Sequence, residues 1–291
     1  MIKFFSIFFF LFWGFSNAQE IERLHLKPYK VSVLSDTIRE NSGLSFFGDQ
    51  LFTINDGGNR SEVFEINPKD GKIRNTQIIP VRNVDWEALD FSDKALYIGD
   101  FGNNLGTRKD LKIFKIPYQN SKFQTDSIKT IPFYFEENKE INPKNLNTDF
   151  DMEAMVFIDG KIHVFTKEWV SKSTSHYIIN PNESILQPAQ FVEKIATGFV
   201  VTDASYFDKK LYLLGYTKKT EAYLMVFDET KPGIFFETKP RKFYLGSTLF
   251  LSQLEGIAVN KTGVFIAGEA FHSPLGIKKP TFYFIPSKDL P

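Results

Sequence analysis

One unit recurs five times along the chain: a short polar residue, usually acidic, followed by a small residue, a hydrophobic stretch, a brief turn and an aromatic-bearing strand. The copies are Ser42-Gly43-Leu44-Ser45-Phe46, Glu87-Ala88-Leu89-Asp90-Phe91, Glu153-Ala154-Met155-Val156-Phe157, Asp203-Ala204-Ser205-Tyr206-Phe207 and Glu255-Gly256-Ile257-Ala258-Val259. Each runs into a second strand: Leu51-Ile54, Leu96-Gly99, Ile162-Phe165, Leu211-Leu214 and Val264-Ala267. A repeat at this period sets the architecture, because no single unit can bury its hydrophobic face alone.

The repeated polar positions lie 45, 66, 50 and 52 residues apart, near the roughly 40–50 residues that one four-stranded propeller blade occupies. The long second interval contains the polar stretch Glu136 to Phe150 with Asn142-Pro143, which reads as an inserted loop. Two further strands follow in each unit; in the first they are Glu62-Ile66 and Asn75-Ile79, parted by the turn Asn67-Pro68-Lys69-Asp70-Gly71. The last unit ends one strand short, and Tyr29-Leu34, just before the first repeat, has a strand's composition and no partner of its own. Pairing the two closes the ring and removes two open sheet edges. The expectation is an all-β, five-bladed β-propeller of four-stranded blades, closed by the N-terminal strand. Six blades is the alternative, should the long unit hide a degenerate one. Sustained helical periodicity is absent, so helix is expected to be minor.

The first residues are of another kind. Lys3 precedes an apolar run from Phe4 to Phe15, broken only by Ser6 and Gly14, and Ser16-Asn17-Ala18 ends it with small residues where a signal peptidase reads. The run is shorter than the roughly 20 residues of a membrane helix. Residues 1–18 are therefore expected to be a signal peptide cut between Ala18 and Gln19. Residues 19–291 are expected to form a single propeller domain, secreted or periplasmic, with no membrane span in the mature chain. The sequence has no cysteine, which excludes disulfides, thiol catalysis and thiolate metal sites. Lys+Arg and Asp+Glu both number 35, so no basic field argues for nucleic acid. The 32 phenylalanines suit the wedges between splayed blades.

In a propeller the first strands line the central channel, and the loops after the second strands open on the face where the first strands begin. That places Ser42, Glu87, Glu153, Asp203 and Glu255 around one mouth. Joining them are loops bearing Asp56, Asn59, Asp100, Asn103, Lys167, Glu269 and His272. Four carboxylates around a narrow channel raise one another's pKa unless protons, a cation or basic side chains compensate. Oxygen ligands without clustered histidines suit calcium, held by some of Glu87, Glu153, Asp203 and Glu255. The bland alternative has these acids capping backbone amides or pairing with Lys167, Arg60 or Arg108. Ser42, Asp56, Asn59, Asp100, Asn103, Lys167 and Glu269 are the candidate ligand-binding residues. His163 falls in an aromatic row with Phe52, Tyr97, Tyr212 and Phe265, which marks it as core. His272 is the histidine best placed for proton transfer, and His25 and His176 have no evident partners.

The stretches Asp85-Trp86-Glu87-Ala88-Leu89, Leu96-Tyr97-Ile98-Gly99-Asp100-Phe101-Gly102-Asn103-Asn104 and Asn147-Thr148-Asp149-Phe150-Asp151-Met152-Glu153-Ala154 resemble a family of exported, uncharacterised β-propellers of Bacteroidetes. The resemblance covers nearly the whole mature chain. More distantly, the placement of Glu87, Glu153, Asp203 and Glu255 is similar to that of the calcium ligands in the gluconolactonase and senescence-marker type of propeller. Those enzymes are six-bladed and use an asparagine ligand where this ring carries Ser42. The SdiA-regulated and phytase-like esterase propellers are similar at the same distance.

Three functions follow as expectations. The first is an exported binding module whose acidic mouth holds a cation or small polar ligand. The second is a calcium-dependent hydrolase of a lactone or phosphoester, with Glu153, Asp203 or His272 as the catalytic candidates. The third is a protein-protein interaction platform.

Overall fold

The computed structural model describes residues 20–138, 144–273 and 276–290; the expected signal peptide and its cut before Gln19 lie outside them. Each of the five repeats forms the innermost strand of an antiparallel blade: Asn41–Phe47, Trp86–Phe91, Asp151–Ile158, Val200–Phe207 and Gln253–Asn260. The second strands are Gln50–Asn55, Ala95–Asp100, Lys161–Lys167, Lys210–Tyr216 and Gly263–Glu269. The third and fourth strands complete each blade, so five blades stand as expected and the six-bladed alternative falls. Among the described residues the long second interval holds no hidden blade. Its third strand, Lys112–Gln119, folds back through the short Lys122–Phe123 before the fourth strand, Lys129–Tyr134.

Closure follows the expected route. Lys30–Val33 pairs antiparallel with Thr281–Pro286 and supplies the fourth strand of the last blade. Two edges are also covered in ways that the sequence did not suggest. Ile21–Arg23 adds a parallel fifth strand to the fourth blade along Lys242–Tyr244, and Gln187–Pro188 pairs in parallel with Phe133–Tyr134 of the second blade. Each pairing removes unpaired backbone groups that would otherwise template association.

Apolar residues on the two faces of each blade fill five wedges, one between each neighbouring pair. Between the first and second blades the filling is largely aromatic: Phe52 packs 5.1 Å from Phe91 and 6.0 Å from Tyr118, which lies 4.7 Å from Phe123. Leu44, Phe64, Phe265 and Phe282 fill the wedge that closes the ring. The row Phe52, Tyr97, His163, Tyr212 and Phe265 occupies equivalent positions in the strand registers, and His163 is core as expected. Helix among the described residues is confined to the single α-helical turn Thr248–Leu251 and a few 3-10 turns. None of it is long and apolar enough to cross a membrane.

One irregularity recurs in all five blades and positions the site. Between first and second strand the register slips by one residue at Ser42/Leu44, Trp86/Ala88, Met152/Ala154, Val201/Asp203 and Leu254/Gly256. The extra residue of each bulge is Gly43, Glu87, Glu153, Thr202 or Glu255. A β-bulge re-aims the side chain it carries and bends its strand. Gly43 meets the bend with φ +70°, a conformation costly for a side chain-bearing residue.

Candidate functional site: an acidic channel mouth

The bulges set the geometry of the mouth. Glu87, Glu153 and Glu255, each an extra residue in its strand, project into one cavity of about 670 Å³. The second strands of the third, fourth and fifth blades end in register on Lys167, Tyr216 and Glu269, opposite Asp151, Val200 and Gln253. Those three ends line the same cavity, with Asp56 from the first blade and Trp169 and Phe271 in the walls. Glu87, Glu153, Glu255 and Lys167 are 2, 3, 3 and 4% exposed. A buried charge at this depth demands compensation.

Compensation is uneven across the mouth. On the side of the third to fifth blades, Lys167 forms an ion pair with Glu153 and lies over the rings of Trp169 and Tyr216, 5.1 and 5.6 Å from their centroids. Burial alone would strip the Lys167 proton; Glu153, Tyr216, Glu255 and Asp151 around it hold that proton well beyond the usual lysine range. Burial, with Glu255 and Asp151, holds the Glu153 carboxyl well above the usual carboxylate range, and Lys167 opposes that shift. Glu255 accepts from the Tyr216 hydroxyl at 3.1 Å and from the Gln253 amide at 2.6 Å, and that amide also donates to Glu269 at 2.6 Å. One Glu153 oxygen, Oε2, has no hydrogen-bond partner among the described residues.

The side of the first and second blades is different. Asp56, Asp85 and Glu87 each present a carboxylate oxygen, and the three lie within 4.8 Å of one another. Burial raises all three. Asp56 is pushed up to about 7, with Glu255 and Asp85 adding repulsion. Asp85 reaches about 6 although Arg108 opposes the shift. Glu87 rises well above the carboxylate range, reinforced by Asp56 and Glu153. The nearest guanidinium, Arg108, is 3.8 Å from Asp85 and is largely spent on Asp100 at 2.8 Å and on the Gly102 carbonyl at 2.9 Å.

Of the candidate residues, Asp56, Lys167, Glu269, Glu87, Glu153 and Glu255 come together at the cavity. The others are placed elsewhere. Ser42 sits one residue before its bulge and donates to the Glu87 carbonyl at 2.6 Å. Asp203 sits one residue past its bulge, where its carboxylate accepts amides from Leu44 at 3.2 Å, Ala204 at 2.8 Å and Ile257 at 2.6 Å. It clamps the first, fourth and fifth blades instead of joining the glutamates. Asp90, which sequence reasoning left unassigned, does the same between the first and third blades, accepting from the Ser45 hydroxyl and the Phe157 amide, both at 2.6 Å.

Asp100 pairs with Arg108. Asn103 holds Asp151 and the Phe150 carbonyl, and Asn59 holds Glu40. Each of these polar groups is thus committed to shaping a loop. His272 is exposed on the hairpin Phe271–Ser273, and it is its neighbour Phe271 that reaches the cavity, as alternation along a strand requires. His176 does have partners: His163 at 2.8 Å and Glu193 at 3.1 Å, all away from the mouth. Both bland outcomes therefore occur, amide capping at Asp203 and lysine pairing at Glu153. The aromatic walls, Trp169 and Tyr216, were not among the candidate ligand-binding residues, although they stand at or just after the ends of second strands, in the loops expected at the mouth.

Fold and site together define a five-bladed propeller whose mouth is acidic around one lysine. No family model matches the chain, and no curated protein matches it. Among solved structures it is similar to a putative oxidoreductase (glucose dehydrogenase) from Thermus thermophilus, with TM-score 0.50 and 9% identity over 88% of this chain and 98% of that one. It is also similar to the PQQ-bound aldose sugar dehydrogenase of Streptomyces coelicolor, with TM-score 0.42 and 12% identity over 89% of this chain and 84% of that one. Likeness at such identity speaks to the fold alone.

Proposed function

We propose that the protein is an exported binding module whose acidic channel mouth holds a small polar ligand or a cation. The observation that carries this reading is the convergence of three bulge-borne glutamates with Asp56, Glu269 and Lys167 on one cavity walled by Trp169, Tyr216 and Phe271. Concave sites with a few convergent polar groups between apolar walls are where small ligands bind. Lys167 and Glu153 offer a donor and an acceptor side by side, and the carboxylates of Glu255 and Glu269 favour ligands rich in hydroxyl or amino groups. Sugars, amino sugars and amines are the classes to test.

The experiment is a thermal-shift screen of those classes on the wild type and on Glu255→Gln. A ligand of the mouth raises the melting point with its concentration, and the variant lessens that shift. Equal shifts in both proteins, or no shift with any of the three classes, would remove the reading.

A second reading has one observation in its favour. Glu153 keeps one oxygen without a hydrogen bond among the described residues, beside the Lys167 ammonium, a base next to a group that can stabilise a developing anion. A cation-dependent hydrolase of a lactone or phosphoester fits that pair. Turnover of a lactone and phosphoester panel by the wild type and not by Glu153→Gln supports it; no turnover by the wild type excludes it.

A further inference from the structure

We infer that the mouth contains a calcium-type site displaced from the channel axis, formed by Asp56, Asp85 and Glu87. This deepens the binding-module reading and rests on it, but of the ring of Glu87, Glu153, Asp203 and Glu255 that the repeat suggests it keeps only Glu87, joined by Asp56 and Asp85. Four observations place it there.

The first is reach. The three carboxylates offer oxygens within 4.8 Å of one another, and two ligands on opposite sides of a calcium ion stand up to about 5 Å apart at its bond lengths. The second is the state of Glu87. It is 2% exposed, it lines the cavity, and no hydrogen bond to its carboxylate occurs among the described residues. A buried carboxylate in that condition costs several kcal/mol by order of magnitude unless a proton or a cation neutralises it, and a cation seated on the cluster would displace the proton that burial otherwise holds there.

The third is the backbone around the cluster. Gly57 and Gly102 press against it so closely that a methyl group on Gly57 would overlap Asp85 Oδ1, and one on Gly102 would overlap Glu87 Oε1 and Asp85 Oδ2. These loops pass where a side chain would fill the space beside the carboxylates. The fourth is the asymmetry of the mouth. Lys167 already answers Glu153, and Tyr216 and Gln253 already bind Glu255. Asp203 is spent on three backbone amides. On the Asp56, Asp85 and Glu87 side, among the described residues, no basic side chain pairs with Asp56 or Glu87, and Arg108 stands 3.8 Å from Asp85 at the margin.

A hard divalent ion suits an all-oxygen set drawn from a loop and a bulged strand. Calcium accepts irregular geometry and variable coordination number, whereas magnesium demands a near-ideal octahedron.

The test is calorimetric titration of chelator-treated, full-length mature protein with calcium chloride alone, joined to melting curves. The wild type is expected to bind one ion per chain and to gain about 5–10 °C in melting temperature at calcium a hundredfold above Kd. Glu87→Gln, and independently Asp85→Asn, should weaken binding at least about tenfold. Without calcium both should melt at or above the wild-type temperature, since each removes one of the repelling charges. Asp203→Asn, at a ring carboxylate spent on backbone amides outside the cavity, should retain the wild-type affinity. No heat with the wild type, undiminished affinity in both Glu87→Gln and Asp85→Asn, a loss in Asp203→Asn as large as in Glu87→Gln, or equal affinity for magnesium would each overturn the assignment. Because only calcium is added, failure here leaves the organic-ligand screen standing, and failure of that screen leaves this titration unaffected.

Discussion

Replacing Lys167 by methionine removes the one buried cation that answers Glu153 while keeping most of the side-chain volume against Trp169 and Tyr216. The structure sets the size of the effect. Glu153 would be left as a carboxylate 3% exposed, with Glu255 and Asp151 raising its proton affinity further. It can escape that cost only by taking a proton. For a carboxyl whose unfolded pKa is about 4.3, neutralisation at pH 7 costs about 3.7 kcal/mol, and at pH 5 only about 1 kcal/mol. Lys167→Met is therefore expected to lose about 3–4 kcal/mol at neutral pH, in the range of about 3–5 kcal/mol for breaking a buried pair.

Most of that deficit should vanish by pH 5. In Glu153→Gln/Lys167→Met the uncompensated charge is gone, so the double variant should be more stable than the lysine variant alone at pH 7. Urea denaturation at both pH values, read with the double-mutant cycle, measures this. A deficit below about 1 kcal/mol at pH 7, against the 3–5 kcal/mol of a broken buried pair, or one that does not change with pH, would refute the claim that Lys167 neutralises this side of the mouth.

The remaining expectations concern the axis and the loops. Asp203→Ala leaves the amides of Leu44, Ala204 and Ile257 without their acceptor, at about 1–3 kcal/mol for each that water cannot reach; urea midpoints should fall more for Ala than for Asn, which keeps an acceptor oxygen. Burial raises Asp90 to about 6 and Asp203 well above the usual carboxylate range, although both accept hydrogen bonds. The folded state thus holds more protons than the unfolded one above pH 4, so this contribution to stability is present in mild acid and is lost as pH rises through about 6. Calcium-free melting temperatures that rise between pH 5 and 7.5 would contradict it. Gly102→Ala should fold, because the glycine is not among those with positive φ, yet weaken calcium binding by crowding Glu87 and Asp85; unchanged binding heats would show that the loop does not shape the site.

The blade count, the closing strand and the aromatic wedges were legible because they depend on period and composition. Tyr29-Leu34 could be assigned to the last blade from the missing fourth strand alone, and Lys30–Val33 pairs there. The ring of acids was legible only in part. Aligning each acid with the small residue after it put Ser42 and Asp203 level with Glu87, Glu153 and Glu255. The bulge inserts one residue per first strand, so the structural equivalents are Gly43 and Thr202. An extra residue leaves no sequence mark when the flanking residues are also small or polar, and a shift of one reverses which way a strand residue points.

Partnerships across the mouth were harder still. Lys167 was one of three basic residues available for pairing, and only the register of the third blade selects it for Glu153. Arg108 goes to Asp100 and Asp85 through a loop whose path the sequence does not specify. Asp85 stands two residues before the repeated Glu87, but its convergence with Asp56 depends on the close approach at Gly57.

The most direct measurement of the central claim is an anomalous-difference map from crystals soaked in calcium at long wavelength. The account predicts one peak in the mouth, bounded by the carboxylates of Asp56, Asp85 and Glu87 and away from Lys167. A peak among Glu153, Asp203 and Glu255, or no peak in the mouth at all, would contradict it.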